Sequence, residues 1–119
     1  DTLPPSMPSG WIVGEEYQKF WELKLGDSRD LLEDAIGAEG SVDMFIHDSD
    51  HTYEVMWFEF NVAWRGLRSG GVLLADNIES NTAFFDFCLK VGRIPLILPA
   101  DPEHLEAGDA GIRVGIIKK

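Results

Sequence analysis

Two short apolar runs, "VDMFI" at 42–46 and "VLLA" at 72–75, flank the stretch 52–71, "TYEVMWFEFNVAWRGLRSGG". Within that stretch Tyr53, Met56, Trp57, Phe60, Ala63, Trp64 and Leu67 share one broad helical face, and a glycine pair closes it. Strand formers in runs this short, separated by a helix that must bury a face, leave few folds open. The pattern predicts strand, crossover helix, strand, in a parallel sheet with right-handed connections and helices on both faces. The aromatic stripe is read as core, because aromatic side chains at helical spacing usually supply buried area.

The remaining segments fit the same frame. Residues 1–19, which begin "DTLPPSMPSG", form an irregular leader punctuated by proline and glycine. "FWELKLG" alternates apolar and polar residues and stops at glycine, which predicts a strand over 20–25. "DSRDLLEDAIGAEG" offers Asp27 or Ser28 as a cap and Leu31, Leu32, Ala35 and Ile36 at helical spacing. "SNTAFFDFCLKVG" predicts a further helix, while "RIPLILP" and "GIRVGIIKK" predict two strands separated by the acidic loop "ADPEHLEAGDA". The last two strands lack an intervening helix, so the closing strand should run antiparallel. The expectation is one α/β domain over 1–119.

Composition narrows the function classes. The formal charge is −11, from 21 acidic against 10 basic residues, with no basic stripe to neutralise phosphates, so nucleic acid is not the expected partner. No apolar run approaches the roughly 18 residues of a membrane span, so no membrane partner is expected either. The single cysteine, Cys88, sits in the apolar segment "FFDFCLKV" and has no internal disulfide partner. No charged stretch followed by an apolar one opens the sequence, and the expected localisation is cytoplasmic.

In an open α/β sheet, ligands bind beyond the carboxyl ends of the strands. Three polar clusters fall at such ends in the predicted order: "GDS" at 26–28, "HDSDH" at 47–51 and "DN" at 76–77. Asp48, Asp50, Asp76 and Asn77 offer hard oxygen ligands suited to Mg²⁺, Ca²⁺ or Mn²⁺, and His51 is a candidate base. Asp48 and Asp76 also stand where helix caps are common, and the two uses do not exclude each other. No GxSxG nucleophile is present, and His47 and His51 span a strand end and a turn rather than one helical face, so a zinc-protease pair is not formed.

The ordered pieces "LGDSRDLL", "VDMFIHDSDHTYE" and "LRSGGVLLADNIESNTAFFDF" resemble the later part of class I S-adenosylmethionine-dependent methyltransferases. They are nearest to the group with an Asp-x-Asp-His-x-Tyr turn after the fourth strand. The resemblance implies a Rossmann-like sheet, mostly parallel with an antiparallel last strand. By the same resemblance the sheet is expected to be truncated at the amino end, because no stretch here resembles the family's first strand and glycine-rich cofactor loop. The resemblance also implies S-adenosylmethionine as cofactor, held by Asp1, Gly26, Asp27, Ser28, Asp48 and Tyr53, with Asp27 and Ser28 near the adenine, Asp48 at the methionine end and Asp1 at the ribose. "LLADN" is similar to a segment of the catechol and caffeoyl-CoA O-methyltransferases, which implies a divalent metal, Mg²⁺, on Asp48, Asp76 and Asn77. By the same likeness His51 and Asp48 are the catalytic candidates.

Three readings follow. The first is a methyltransferase acting on an oxygen or nitrogen of a small-molecule substrate. The second is a non-catalytic relative that forms a homo-oligomer through an exposed sheet edge. The third is a metal-dependent protein that shares only the scaffold.

Overall fold

The structure, a computed structural model, describes residues 9–99, 111 and 113–119. Asp1, the start of the leader and the acidic loop carrying His104 lie outside the described residues. Three helices, α1 (Ser28–Ile36), α2 (Tyr53–Gly66) and α3 (Ala83–Val91), accompany four strands, β1 (Val42–His47), β2 (Leu67–Ala75), β3 (Leu96–Pro99) and β4 (Arg113–Lys118). The strand order is β1-β2-β4-β3. β1 and β2 are parallel, and β4 runs antiparallel to both of its neighbours. Three strands therefore share one direction and the last opposes them, as expected. The carboxyl ends of β1, β2 and β3 gather at one edge of the sheet.

The helices pack on one face. Met56, Phe60 and Ala63 of α2 and Phe84, Phe87 and Cys88 of α3 meet Leu73, Ala75 and Ile117 of the sheet in a single core. Phe60 lies at its centre, with ring centroids 6.0 Å from Phe84 and 5.6 Å from Phe87. Burying a side chain of this size contributes roughly 1.5–3 kcal/mol. On the opposite face, register aligns Ile46, Leu74, Ile116 and Leu96 in a row across all four strands. Ile46 and Leu96 in this row are exposed and Leu74 and Ile116 half-buried. The expectation of helices on both faces is thus met on one face only among the described residues.

Two boundaries differ from the sequence reading. Residues 20–25 form no strand: Gln18–Phe20 is a 3-10 turn and 21–25 has no regular structure, with Phe20 and Leu25 largely exposed. Alternation alone is insufficient here, because a strand is completed by a neighbour's backbone, and no described strand pairs with this segment. Helix α2 also stops at Gly66 rather than at the glycine pair, and Leu67 already pairs with Val42. Sheet pairing competes for this backbone: Gly70 N–H donates to the Lys119 carbonyl and Lys119 N–H to that of Gly71. The Lys119 ammonium then caps the helix end, donating to the carbonyls of Trp64 at 2.6 Å and Leu67 at 2.8 Å. At Gly66 a side chain would strike Ile36, so its absence lets α1 lie against α2.

Gly115 of β4 plays the corresponding part for α3, since a Cβ there would fall on the Phe84 ring. Gly115→Val is expected to lower stability by about 1–3 kcal/mol through overpacking. Urea denaturation checks this, and an unchanged midpoint would show that Phe84 can swing aside.

Candidate functional site at the strand ends

The segment 48–52 leaves β1 with Asp48 and reaches α2 at Thr52. Asp50 carries the turn, its carboxylate accepting from Thr52 N–H at 3.0 Å. Neither Asp48 nor Asp76 serves as a cap: the helix N-caps are Thr52 and Thr82. The two carboxylates instead converge with His51. Ligand-capable atoms of Asp48, His51 and Asp76 all lie within 4.8 Å of one another. The turn after β2 is fixed to bring this about. Asp76 N–H donates to the His47 carbonyl at 3.0 Å, joining the ends of β1 and β2. Asn77 adopts φ 49°, the left-handed region that asparagine tolerates, and its amide donates to Glu79 at 3.2 Å. Glu79 in turn accepts from Arg113 N–H at 2.9 Å, tying this turn to β4.

Beneath the turn is a buried polar pair. His47 Nδ1 lies 2.7 Å from Glu59 Oε2, with their side chains 0% and 4% exposed, and Ser49 Oγ donates to Glu59 Oε1 at 2.8 Å. An ionised carboxylate only accepts, so Nδ1 carries the proton. Burial pushes the Glu59 carboxyl up, but hydrogen bonding from His47, Ser28 and Ser49 and the charge interaction with His47 outweigh it, and the net shift is downward. The His47 ring stands edge-on to His51, 5.3 Å between centroids. Both Nε2 atoms are buried without a hydrogen-bond partner among the described residues. Asn81 bridges this corner to α3, donating to the His51 carbonyl at 2.9 Å and accepting from Ala83 N–H at 2.8 Å.

A pocket of about 260 Å³ opens beside the turn, lined by Gly26, Asp27, Ser28, Arg29, Ser49, Asp50 and Val55. The fold thus brings "GDS" next to "HDSDH" although the strand expected before it is absent. Asp27 is the α1 cap, accepting from Arg29 N–H at 2.9 Å, and is paired with the Arg29 guanidinium at 2.6 Å. Those hydrogen bonds from Arg29 hold its carboxyl at about 2, below the usual 3.8. Tyr53 is not brought into the pocket lining. It stacks on Trp57 at 6.0 Å, and desolvation and the Asp86 carboxylate raise its phenol above the usual range. Larger hollows, about 420 and 510 Å³, lie between the helices and away from the convergent carboxylates, with Val62 and Arg65 in both.

The sequence model of the methyltransferase-domain family matches residues 5–78, more than half of the chain. The chain belongs to that family. Together with the mixed α/β sheet, the match makes this a class I S-adenosylmethionine-dependent methyltransferase-like domain. The matched span includes the whole "GDS" pocket, the 47–51 turn and the Asp76-Asn77 pair of the methyltransferase domain. No curated protein sequence matches the chain.

The sequence reading did not single out Glu59, Ser49 or Asn81 for this site. Glu59 left a signal: Val55, Glu59, Val62 and Gly66 follow helical spacing and all four are buried, so a carboxylate stands where an apolar residue would be ordinary.

The Asp27 shift has a sign. A carboxyl whose folded value is depressed adds stability above its unfolded value, and that contribution is lost as pH falls from about 4 through about 2. The start of α1 should loosen over that window, seen as loss of protection of the Arg29 amide in hydrogen exchange. In Asp27→Ala, exchange at Arg29 should be fast already at neutral pH.

Proposed function

We propose that this methyltransferase domain transfers a methyl group from S-adenosylmethionine to an oxygen or nitrogen of a small molecule, assisted by a divalent cation. The observation that carries the reading is the convergence of Asp48, His51 and Asp76 beside the "GDS" pocket at the sheet's carboxyl edge.

The residues present fit both groups. Gly26, Asp27 and Ser28 lie at the start of α1, where backbone N–H groups and short polar side chains can meet a nucleoside, and Asp48 stands at the neighbouring strand end. The two carboxylates suit Mg²⁺ or Mn²⁺, and His51 adds a nitrogen donor whose buried Nε2 has no hydrogen-bond partner among the described residues. When bound, the cofactor supplies an electrophilic methyl group and the cation supplies Lewis acidity that lowers an acceptor's pKa. Asp48 and Asp76, which do not line the pocket themselves, contribute the negative charge that would hold a cation at the carboxyl edge of the sheet. His51 either completes that set or takes the acceptor's proton, and cation dependence separates these roles. The Asn77 amide nitrogen is engaged with Glu79, which leaves its carbonyl oxygen as the ligand-capable atom.

Isothermal titration with S-adenosylhomocysteine, with and without Mg²⁺, tests the reading. Binding strengthened by Mg²⁺ is expected, and Asp48→Ala should abolish it while the circular dichroism spectrum stays unchanged. Affinity that survives in Asp48→Ala would remove Asp48 from the site.

A second reading is self-association, favoured by the side of β1 left unpaired, and the apolar row on the sheet face left open, among the described residues. Ile46 is 59% exposed there. Light scattering should give an oligomer that Ile46→Lys dissociates, and a monomeric wild type would exclude this reading.

A further inference from the structure

Glu59 is the buried charge that the proposed chemistry leaves unused. It sits at the middle of α2, 3% exposed, and hydrogen-bonds residues on either side of Asp48: His47 through one oxygen and Ser49 through the other. Ser28, at the start of α1, also acts to hold its carboxyl ionised. β1 ends at the buried His47, and Ser49 in the turn beyond it directs its hydroxyl back to Glu59. Asp48, between them, is exposed. His47 also presents its ring edge to His51, 5.3 Å between centroids, and to Phe60 at 5.2 Å. The carboxylate therefore fixes the ring that supports His51 as well as both neighbours of Asp48.

A solely structural role accounts poorly for this arrangement. A carboxylate taken out of water is costly, and an apolar residue at the same position of α2 would stabilise the core more simply. What the carboxylate adds is direction: two acceptor oxygens at set angles, one defining the His47 tautomer and one the Ser49 rotamer. We infer that Glu59 is a positioning residue that clamps His47 and Ser49 and thereby sets the separation of Asp48 from His51. The inference rests on the reading of the 48–51 turn as the functional site.

The test uses the full chain, ¹⁵N-labelled, as wild type, Glu59→Gln, Glu59→Ala and Ser49→Ala, with Mn²⁺ alone as the probe. In wild type, paramagnetic broadening is expected at the amides of residues 48–51 and 76. Glu59→Ala should weaken Mn²⁺ binding roughly ten- to a hundredfold, as loss of an orienting partner behind a ligand does. Glu59→Gln should recover part of the affinity, because its amide oxygen still accepts from Ser49. Ser49→Ala should fall between Gln and wild type, and decides the matter where Glu59→Ala fails to fold. Equal Mn²⁺ affinity in folded variants and wild type would overturn the inference. Should wild type bind no Mn²⁺, the cation reading fails, and metal-free spectra decide on Glu59. Shifted His51 ring nitrogens, with at least roughly tenfold faster amide exchange at 48–51 and unchanged exchange in β2 and β4, would uphold the clamp. Unchanged His51 nitrogens and unchanged exchange at 48–51 would refute it.

Discussion

A carboxylate buried under a strand end has to be satisfied on the spot, and the corner of the sheet around Glu59 is organised by that demand. His47 closes β1, Ser49 opens the turn and Glu59 belongs to α2, so one hydrogen-bonded group joins a strand, a loop and a helix. The apolar core stops at this point. Phe60, next in sequence, presents its ring to His47 on one side and to Phe84 and Phe87 on the other. The boundary between core and site is therefore a single aromatic side chain wide.

The site follows from the direction of the strands. With β1 and β2 parallel, their carboxyl ends emerge together, and the backbone bond from Asp76 to His47 holds the two departing chains side by side. Two carboxylates then converge, neither in a salt bridge among the described residues, next to an imidazole with a buried nitrogen unpaired among them. Such a cluster attracts positive charge, whether of a metal ion, an imidazolium or a sulfonium. Arg29, the nearest guanidinium to the pocket, is already committed to Asp27.

Most of the framework is readable in the sequence because its signals are local. The apolar periodicity of 53–66 and 83–91, the strand-forming runs of β1 and β4 and the edge-directed aspartates each depend on residues near in the chain. The failures share a different cause. Whether "FWELKL" becomes a strand depends on a neighbour that its own residues do not specify. Whether the backbone near Gly70 is helix or sheet depends on Lys119, nearly fifty residues later. Glu59 was hidden by its type: glutamate in a helix ordinarily faces water, and only its place on a buried stripe shows otherwise. The His47–Glu59 pair spans β1 and α2 and becomes visible only once their packing is known. Asp48 and Asp76 were legible as candidates, whereas their freedom from capping became clear only when Thr52 and Thr82 were found at the caps.

The Lys119 ammonium at the carboxyl end of α2 acquires significance when set against Glu59 at the middle of the same helix. A rod pinned by charged groups at its midpoint and at one end neither pivots nor slides readily. Helix α1 is fastened far more lightly: it buries no residue, leans on the notch at Gly66 and shares with α2 an exposed ion pair between Glu33 and Arg65 that contributes little. The pocket thus has one stationary wall and one compliant wall. Accommodation of a ligand would be taken up on the α1 side, while the convergent carboxylates keep their spacing.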